Sequence, residues 1–179
     1  MNTKTLSGYL AVLCLSFLLR IIGPSDSFSH SLLPVLMMAF PVIVGHRVKF
    51  RLSVKDSAAG LLVSAAILIP YYMLFGSDLK VLTGHSLLFQ LIGIALPEEF
   101  FFRGFLQDSL GRNLQAILVT SLLFSVAHLP KAMFLGEWTA LLSFFPSLVM
   151  GWLYMKTDNI LPGTIFHLLA NIVYGAASH

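Results

Sequence analysis

The stretch ALPEEFFFRGFLQ, Ala95 to Gln107, places two adjacent glutamates and an arginine inside an otherwise apolar segment. The whole chain of 179 residues is 57% hydrophobic and only 11% charged, whereas about a quarter of the residues in a soluble domain carry a charge. Several long apolar runs are present, and they lack the ~10-residue alternation of an outer-membrane barrel. The composition therefore predicts an all-α, polytopic bundle of transmembrane helices.

The apolar runs predict about seven spans in a single membrane-embedded domain comprising residues 1–179. The first three spans carry no acidic residue in their apolar cores, so residues 1–80 are interpreted as scaffold helices and residues 85–177 as the functional core. The predicted spans are residues 6–22, 32–44, 58–75, 87–106, 114–129, 140–155 and 160–176.

The most basic stretch, HRVKFRLSVKD at residues 46–56, predicts the orientation of the bundle, because cytoplasmic loops are enriched in lysine and arginine. Alternation from this loop gives a cytoplasmic N-terminus and an external C-terminus, with Arg112 and Lys156 inside and Lys131 outside. Cys14 is the only cysteine, which excludes an intramolecular disulfide and a cysteine metal cluster. The net charge of +3 comes without a basic tail, so no nucleic-acid partner is predicted.

Ionisable side chains at membrane depth are costly and commonly mark function. A single histidine can simply join two helices, and a single Glu–Arg pair can fix helix register. A set spread over three helices is not needed for a stable bundle, and it predicts a functional site. The set comprises Glu98, Glu99 and Arg103 in the fourth span, His128 in the fifth, and His167 and Asn171 in the seventh.

Helical geometry separates the two glutamates. Glu99 and Arg103 are four residues apart, with the acid first, which favours an ion pair on one face. Glu98 is turned about 100° away, and a poorly solvated carboxylate there suits general base catalysis. Pro97 precedes the pair, and a proline within a helix frees the carbonyl four residues back, at Gly93, and bends the helix. A water-filled notch beside Glu98 is one interpretation of this bend, and an ordinary kink of a membrane helix is the other, which the proline alone favours.

His167 and Asn171 are also four residues apart, so both side chains can point into one cavity, with Thr164 near the same face. A histidine can share a water molecule with Glu98. Histidine and asparagine can also donate hydrogen bonds to a developing oxyanion, and such stabilisation often contributes more to catalysis than any other single effect. We expect Glu98, His128, His167 and Asn171 to surround one polar cavity.

These residues, in this order, resemble the CAAX protease and bacteriocin-processing family of intramembrane endopeptidases, also called the type II CAAX or Abi family. Its motif Glu-Glu-x-x-x-Arg is present as Glu98, Glu99 and Arg103, and the resemblance covers residues 87–174. The other two motifs are Phe-x-x-x-His, present as Phe124 and His128, and His-x-x-x-Asn, present as His167 and Asn171.

The resemblance implies a helical bundle in which Glu98 activates water for attack on a peptide carbonyl, assisted by His128. Glu99 and Arg103 would support this arrangement, and His167 and Asn171 would stabilise the oxyanion. It also implies no cofactor, although convergence of Glu98, Glu99, His128 and His167 could hold zinc, and the chain lacks the His-Glu-x-x-His spacing of zinc proteases.

The implied partners are the lipid bilayer and a peptide or protein substrate presented in it, in the inner membrane of a bacterial cell. The substrate would be lipidated or hydrophobic-tailed, and removal of a C-terminal sorting tail is one implied role. A proton-coupled transporter that uses Glu98 and the histidines as a relay is an alternative, but matched broken helices in two halves are missing. A catalytically inactive immunity protein is a further alternative, which the intact motifs disfavour.

Overall fold

The computed structural model describes residues 1–22, 27–76 and 83–177, and within these ranges the chain is helical with no strand. The prediction of an all-α bundle is therefore confirmed. A short 3₁₀ helix, Trp138–Ser143, precedes the seventh helix. In chain order the helices are α1 (Thr3–Ile22), α2 (Ser27–Ile43), α3 (Val54–Phe75), α4 (residues 84–110), α5 (Leu114–Ala127), α6 (Leu129–Leu135), α7 (Phe144–Thr157) and α8 (Leu161–Ala177).

Several helices are long and apolar enough to cross a membrane. Large apolar side chains on α3, such as Leu62, Met73 and Leu74, are 70–79% exposed on the outside of the bundle, as expected where lipid replaces water. The chain is therefore an integral membrane protein. Each predicted span coincides with a helix, but not every helix reaches spanning length, so the number of seven spans stays a prediction. The helical segments that are both long and apolar enough to span are Thr3–Ile22, Val54–Phe75, Leu114–Leu135 and Trp138–Thr157. The shorter apolar segments are Ser31–Ile43 and Leu161–Gly175.

Helix α4 is continuous but changes its hydrogen-bond register twice. Phe89–Ala95 and Phe102–Gln107 are π-helical, and Leu96–Phe101 between them is α-helical. The Leu96 N–H bonds to the carbonyl of Leu91, five residues back. The irregularity that Pro97 predicts thus takes the form of a π-helical segment before it. Pro97 follows at the start of the α-helical segment, and because it has no N–H it donates no hydrogen bond to the preceding π-helical turn.

Aromatic side chains of α4 form the centre of the core. Phe101, Phe102 and Phe105 are almost fully buried, and Phe102 meets Phe124 of α5 edge to face with 4.9 Å between ring centroids. Helices α1, α2, α5, α7 and α8 all contact α4, so a polar group on it can be fixed from several sides. The remaining buried members of the cluster are Tyr9, Val12, Met37, Leu106, Met150, Leu153 and Phe166.

The loop between α2 and α3 is tied to two neighbouring turns. The Ile160 N–H donates to the carbonyl of Lys49 at 3.1 Å, and the Asn159 amide donates to the carbonyl of Arg51 at 2.8 Å. Lys49 Nζ lies 3.0 Å from Asp158 and 3.3 Å from Asp108. These contacts fix the loop against the last turn of α4 and the α7–α8 connection.

The same loop also contacts the second π-helical segment of α4. A ring nitrogen of His46 lies 2.8 Å from the carbonyl oxygen of Gly104, and because a carbonyl only accepts, the ring donates. The N–H of Asp108 bonds to the carbonyl of Arg103 rather than to that of Gly104. A Cβ at position 104 would collide with Val48. Glycine is therefore needed where the loop crosses α4.

Candidate active site

A buried ion pair joins Glu99 to Arg103, both with fully buried side chains. Arg103 Nη1 donates to Glu99 Oε1 at 2.7 Å, which confirms the predicted i,i+4 pairing. Arg103 Nη2 donates to the hydroxyl of Ser147 on α7 at 2.7 Å and to its carbonyl at 3.1 Å. The guanidinium carbon lies 4.8 Å from the centroid of the Phe124 ring. Arg103 therefore connects α4 to α5 and α7, and it holds the Glu99 carboxylate in one place.

His167 lies beside both glutamates. Its Nδ1 is 3.2 Å from Glu99 Oε1, which is within hydrogen-bond reach, and its Nε2 is 3.6 Å from Glu98 Oε2, which is too long for a direct bond. Glu99 is held by Arg103 as a carboxylate, so Nδ1–H is the donor in the short contact. The structure thus brings together side chains that are 68 residues apart in the chain.

Glu98 has different surroundings from Glu99. Its side chain is 19% exposed, and its Oε2 atom is buried without a hydrogen-bond partner among the described residues. A carboxylate oxygen in this condition can accept a proton or a hydrogen bond from a bound water molecule. The Oε2 atom of Glu99 is likewise without a partner among the described residues, so the two glutamates differ in exposure and in the ion pair with Arg103. A catalytic role for Glu98 stays a prediction. The water-filled notch expected beside it stays a prediction.

Two glycines let other helices approach α4 closely. A Cβ at Gly163 of α8 would lie 2.5 Å from Glu99 Oε2, and a Cβ at Gly151 of α7 would lie 2.9 Å from Gln107 Oε1. Gln107 is fully buried and its amide donates to the Gly151 carbonyl at 2.8 Å. The positioning roles of Gly151, Gly163 and Gln107 were not predicted from the sequence. The four-residue spacing of Arg103 and Gln107 on α4 was the available signal, because it places both side chains on one face.

His128 lies at the C-terminal end of α5. Its Nδ1 is 2.8 Å from the carbonyl of Phe124, so Nδ1 donates to that carbonyl and Nε2 is the ring nitrogen left for another contact. The Phe124 ring packs against both histidines, with centroids 4.8 Å from His128 and 5.8 Å from His167. No direct polar contact with Glu98 is present among the described residues. The sharing of one water molecule by His128 and Glu98 stays a prediction.

Asn171 lies one turn after His167 on α8, as its spacing predicts. Its amide donates to Gln90 Oε1 at 3.3 Å, from the first π-helical segment of α4. This is a long hydrogen bond, so Asn171 is oriented without being tightly fixed. The hydroxyl of Thr164 donates to the carbonyl of Ile160, the residue just before α8, at 3.1 Å, which satisfies the threonine locally.

A cavity of about 530 Å³ lies between α3, α7 and α8 and the 3₁₀ helix. Its wall includes His128 and Asn171, but not Glu98 or His167, and it is made mainly of apolar side chains. This cavity is therefore not the one expected around all four residues, and that expectation stays a prediction. The Phe124 ring packs against His167, with 5.8 Å between ring centroids.

A metal centre is not preformed in the part of the chain that the structure describes. No group of three or more histidine, cysteine, aspartate or glutamate side chains there is arranged to hold a metal ion. Glu98 and His167 approach each other to 3.6 Å as a carboxylate and an imidazole. A chelator experiment tests whether the reaction uses a metal, and a metal-free reaction stays a prediction.

Comparison with known proteins identifies the family. The model of the type II CAAX prenyl endopeptidase Rce1-like family matches residues 80–173, more than half of the chain. The chain belongs to this family. The matched region spans all three motifs and agrees with the family resemblance predicted from the sequence.

A curated relative supports the same assignment. The chain is 29% identical to UPF0177 protein YxdF of Lactococcus lactis subsp. lactis (strain IL1403) over 89 residues. The alignment covers 49% of this chain and 48% of that protein, so the chain spans about half the length of the relative it matches. No solved structure matches the chain.

Proposed function

We propose that this protein is an intramembrane endopeptidase that hydrolyses a peptide bond of a membrane-associated substrate by glutamate-activated water. Membership of a CAAX endopeptidase family supports the reaction class. The observation that carries the assignment of roles is the unequal state of the two glutamates. Glu99 is fully buried, and its Oε1 atom is fixed by Arg103 and His167. Glu98 is 19% exposed and has only a 3.6 Å contact with His167 among the described side chains, while the Oε2 atoms of both glutamates are without a hydrogen-bond partner there.

In the proposed reaction, the Glu98 carboxylate accepts a proton from a water molecule as the water oxygen adds to the peptide carbonyl. The carbonyl oxygen becomes a tetrahedral oxyanion. Protonated Glu98 then gives its proton to the leaving nitrogen as the C–N bond breaks, which releases an amine and a carboxylic acid. A single residue thus serves as base and then as acid.

The histidines and Asn171 assist this reaction. The Nε2 atom of His128 accepts a hydrogen bond from the attacking water, because Nδ1–H is committed to the Phe124 carbonyl. Asn171 donates its amide to the oxyanion, exchanging its long bond with Gln90 for a charge-assisted one. His167 donates from Nε2, which requires that this nitrogen carry a proton in addition to the Nδ1 proton that faces Glu99.

The substrate is a lipidated or hydrophobic-tailed peptide or protein, cleaved near its terminus in the inner membrane of a bacterium. The apolar wall of the cavity beside His128 and Asn171 supports an apolar substrate segment. The bacterial source of the curated relative supports the location. Removal of a C-terminal sorting tail is one reaction that fits these requirements.

Terminal-peptide profiling of membranes tests this proposal even though the substrate has not been identified. Membranes from cells that produce the wild-type protein or Glu98→Gln are compared for new N-termini and C-termini. We expect a small set of termini that appear only with the wild type. Termini that are equally abundant with folded Glu98→Gln would contradict the role of Glu98, and cleavage abolished by a chelator and restored by zinc would replace the metal-free mechanism.

A further inference from the structure

Positive charges are concentrated at one end of the bundle. Of the eleven lysine and arginine residues in the chain, seven lie in the first turn of α1 or in or beside the loops that join α2 to α3, α4 to α5, and α7 to α8. Arg103 is buried in the core, and Lys80 lies outside the described residues. The seven are Lys4, Arg47, Lys49, Arg51, Lys55, Arg112 and Lys156.

Direct contacts show that these connections meet at the same end. Asp158, in the α7–α8 connection, accepts contacts from Lys49 at 3.0 Å and from Arg112 at 3.1 Å. The Arg51 guanidinium donates to the carbonyl of Thr157 at 3.0 Å. The lysine-rich and arginine-rich end is therefore one continuous surface of the folded chain, and the positive-inside rule assigns it to the cytoplasm.

The cavity beside His128 and Asn171 lies toward the opposite end. Helix α8 begins at Leu161, next to the basic loop, and Tyr174, on the cavity wall, is about 20 Å further along it at 1.5 Å per residue. Helix α7 runs the other way, from Phe144 near the cavity to Thr157 at the basic end. The cavity thus faces away from the basic loop.

The rim of the cavity is polar. The hydroxyls of Thr139 and Tyr174 are 2.8 Å apart, and both residues are exposed. Lys131 also lies on the cavity wall, and its charge is neutralised by Glu137 at 2.8 Å. An exposed polar rim fits an opening toward water better than one toward lipid.

We propose that the cavity opens to the extracytoplasmic side of the membrane, and that it receives an apolar peptide segment presented from that side. The orientation follows from the charge distribution, and the choice of a peptide segment as occupant rests on the proposed endopeptidase function. The substrate is accordingly a peptide whose cleaved part has already reached the outer half of the membrane.

Cysteine accessibility tests the orientation. Cys14, the only cysteine, is replaced by alanine, and Thr139→Cys is introduced at the cavity rim. Leu52→Cys, at a position that is 86% exposed in the basic loop, is the matched control for the other end. Spheroplasts are treated with a membrane-impermeant maleimide before or after permeabilisation with detergent, and the labelled fraction is measured.

We expect the Thr139→Cys protein to be labelled to the same extent before and after permeabilisation, and the Leu52→Cys protein to be labelled only afterwards. Protection of Thr139→Cys in intact spheroplasts would overturn the proposed orientation, as would labelling of Leu52→Cys there. The experiment is repeated with Glu98→Gln, because labelling does not depend on cleavage. External labelling without any wild-type-specific termini would contradict the endopeptidase function and leave the orientation standing.

Discussion

Glu98 and Glu99 are adjacent in the chain, yet their surroundings differ in burial and in partners. Glu99 is fully buried and has Arg103 at 2.7 Å and His167 at 3.2 Å. Glu98 is partly exposed and has only the longer contact with His167. A buried charge is stable only when it is paired and hydrogen-bonded. Glu99 is therefore the structural member of the pair, which leaves Glu98 for the proposed role of general base.

Replacement of the structural glutamate tests its role in stability. Glu99→Gln leaves Arg103 fully buried without its counter-charge, so we expect the free energy of unfolding to fall by about 3–5 kcal/mol. Denaturant unfolding in detergent micelles measures the change. Glu137→Gln is the matched control, because it breaks an exposed pair that contributes only about 0.2–1 kcal/mol. Equal stability of the two variants would show that the buried pair is not structural.

Replacement of Asn171 tests whether its amide stabilises the oxyanion. Its long bond to Gln90 contributes little to the fold, so Asn171→Ala should melt near the wild-type temperature. The rate of cleavage should fall by about 10²–10³, the usual cost of one missing oxyanion donor. Kinetics on a peptide from the profiling experiment measure the rate. A wild-type rate in the Asn171→Ala protein would remove this residue from the mechanism.

At the scale of the helices, the positions of Glu99 and Gln107 depend on how closely α7 and α8 approach α4. Both approaches use a glycine, Gly151 on α7 and Gly163 on α8. The π-helical segments on either side of the two glutamates change the direction in which successive side chains of α4 point. Such segments are frequent at functional sites.

Two glycines of α8 provide a matched pair of variants. A Cβ at Gly163 would meet the Glu99 carboxylate at 2.5 Å, while a Cβ at Gly175 would meet nothing within 4 Å. We expect Gly163→Ala to lower the free energy of unfolding by about 1–3 kcal/mol, the usual cost of overpacking, and to reduce cleavage. Gly175→Ala should be neutral or stabilising by up to about 1 kcal/mol. The free energy of unfolding and the cleavage rate are measured for both variants. Similar behaviour of the two would contradict the role of close packing at Gly163.

Sequence patterns predicted the helices well and the contacts between them less well. The predicted span of residues 58–75 lies within Val54–Phe75, and the Glu99–Arg103 pair followed from a spacing of four. The π-helical segments of α4 were not predicted, because a change of hydrogen-bond register leaves no hydrophobic period of its own. The hydrogen bonds of Arg103 to Ser147 were also missed, since they depend on which helix faces α4.

At the scale of the whole molecule, the basic loop closes one end of the bundle through charged contacts. The Asp158 carboxylate raises the pKa of Lys49 above its usual value, with a smaller contribution from Asp108. A raised folded-state pKa stabilises the fold below the unfolded pKa of about 10.4. This stabilisation is lost as the pH rises through the raised pKa.

The pH dependence of stability tests this closure. We expect Lys49→Gln to unfold more easily than the wild type by about 0.2–1 kcal/mol near neutral pH, since the pair is partly exposed. The difference should shrink above about pH 10.4, where the lysine of the unfolded chain begins to lose its proton, and it should vanish as the pH rises through the raised pKa of the folded protein. Lys55→Gln is the control, because Lys55 is an exposed lysine nearby. Thermal unfolding from pH 7 to pH 11 gives the comparison, and a difference that grows with pH would contradict the assignment.

We propose that the bundle as a whole holds Glu98 beside a water molecule and a peptide carbonyl, and this is the central claim to test. The most direct measurement is the cleavage rate of purified Glu98→Gln, alongside its thermal unfolding. The amide is nearly the same size as the carboxylate but cannot accept a proton from water at neutral pH. We predict a rate lower by about 10⁴ or more, the upper end of the range for a general base, with the melting temperature unchanged. A folded Glu98→Gln protein that cleaves at close to the wild-type rate would contradict the claim.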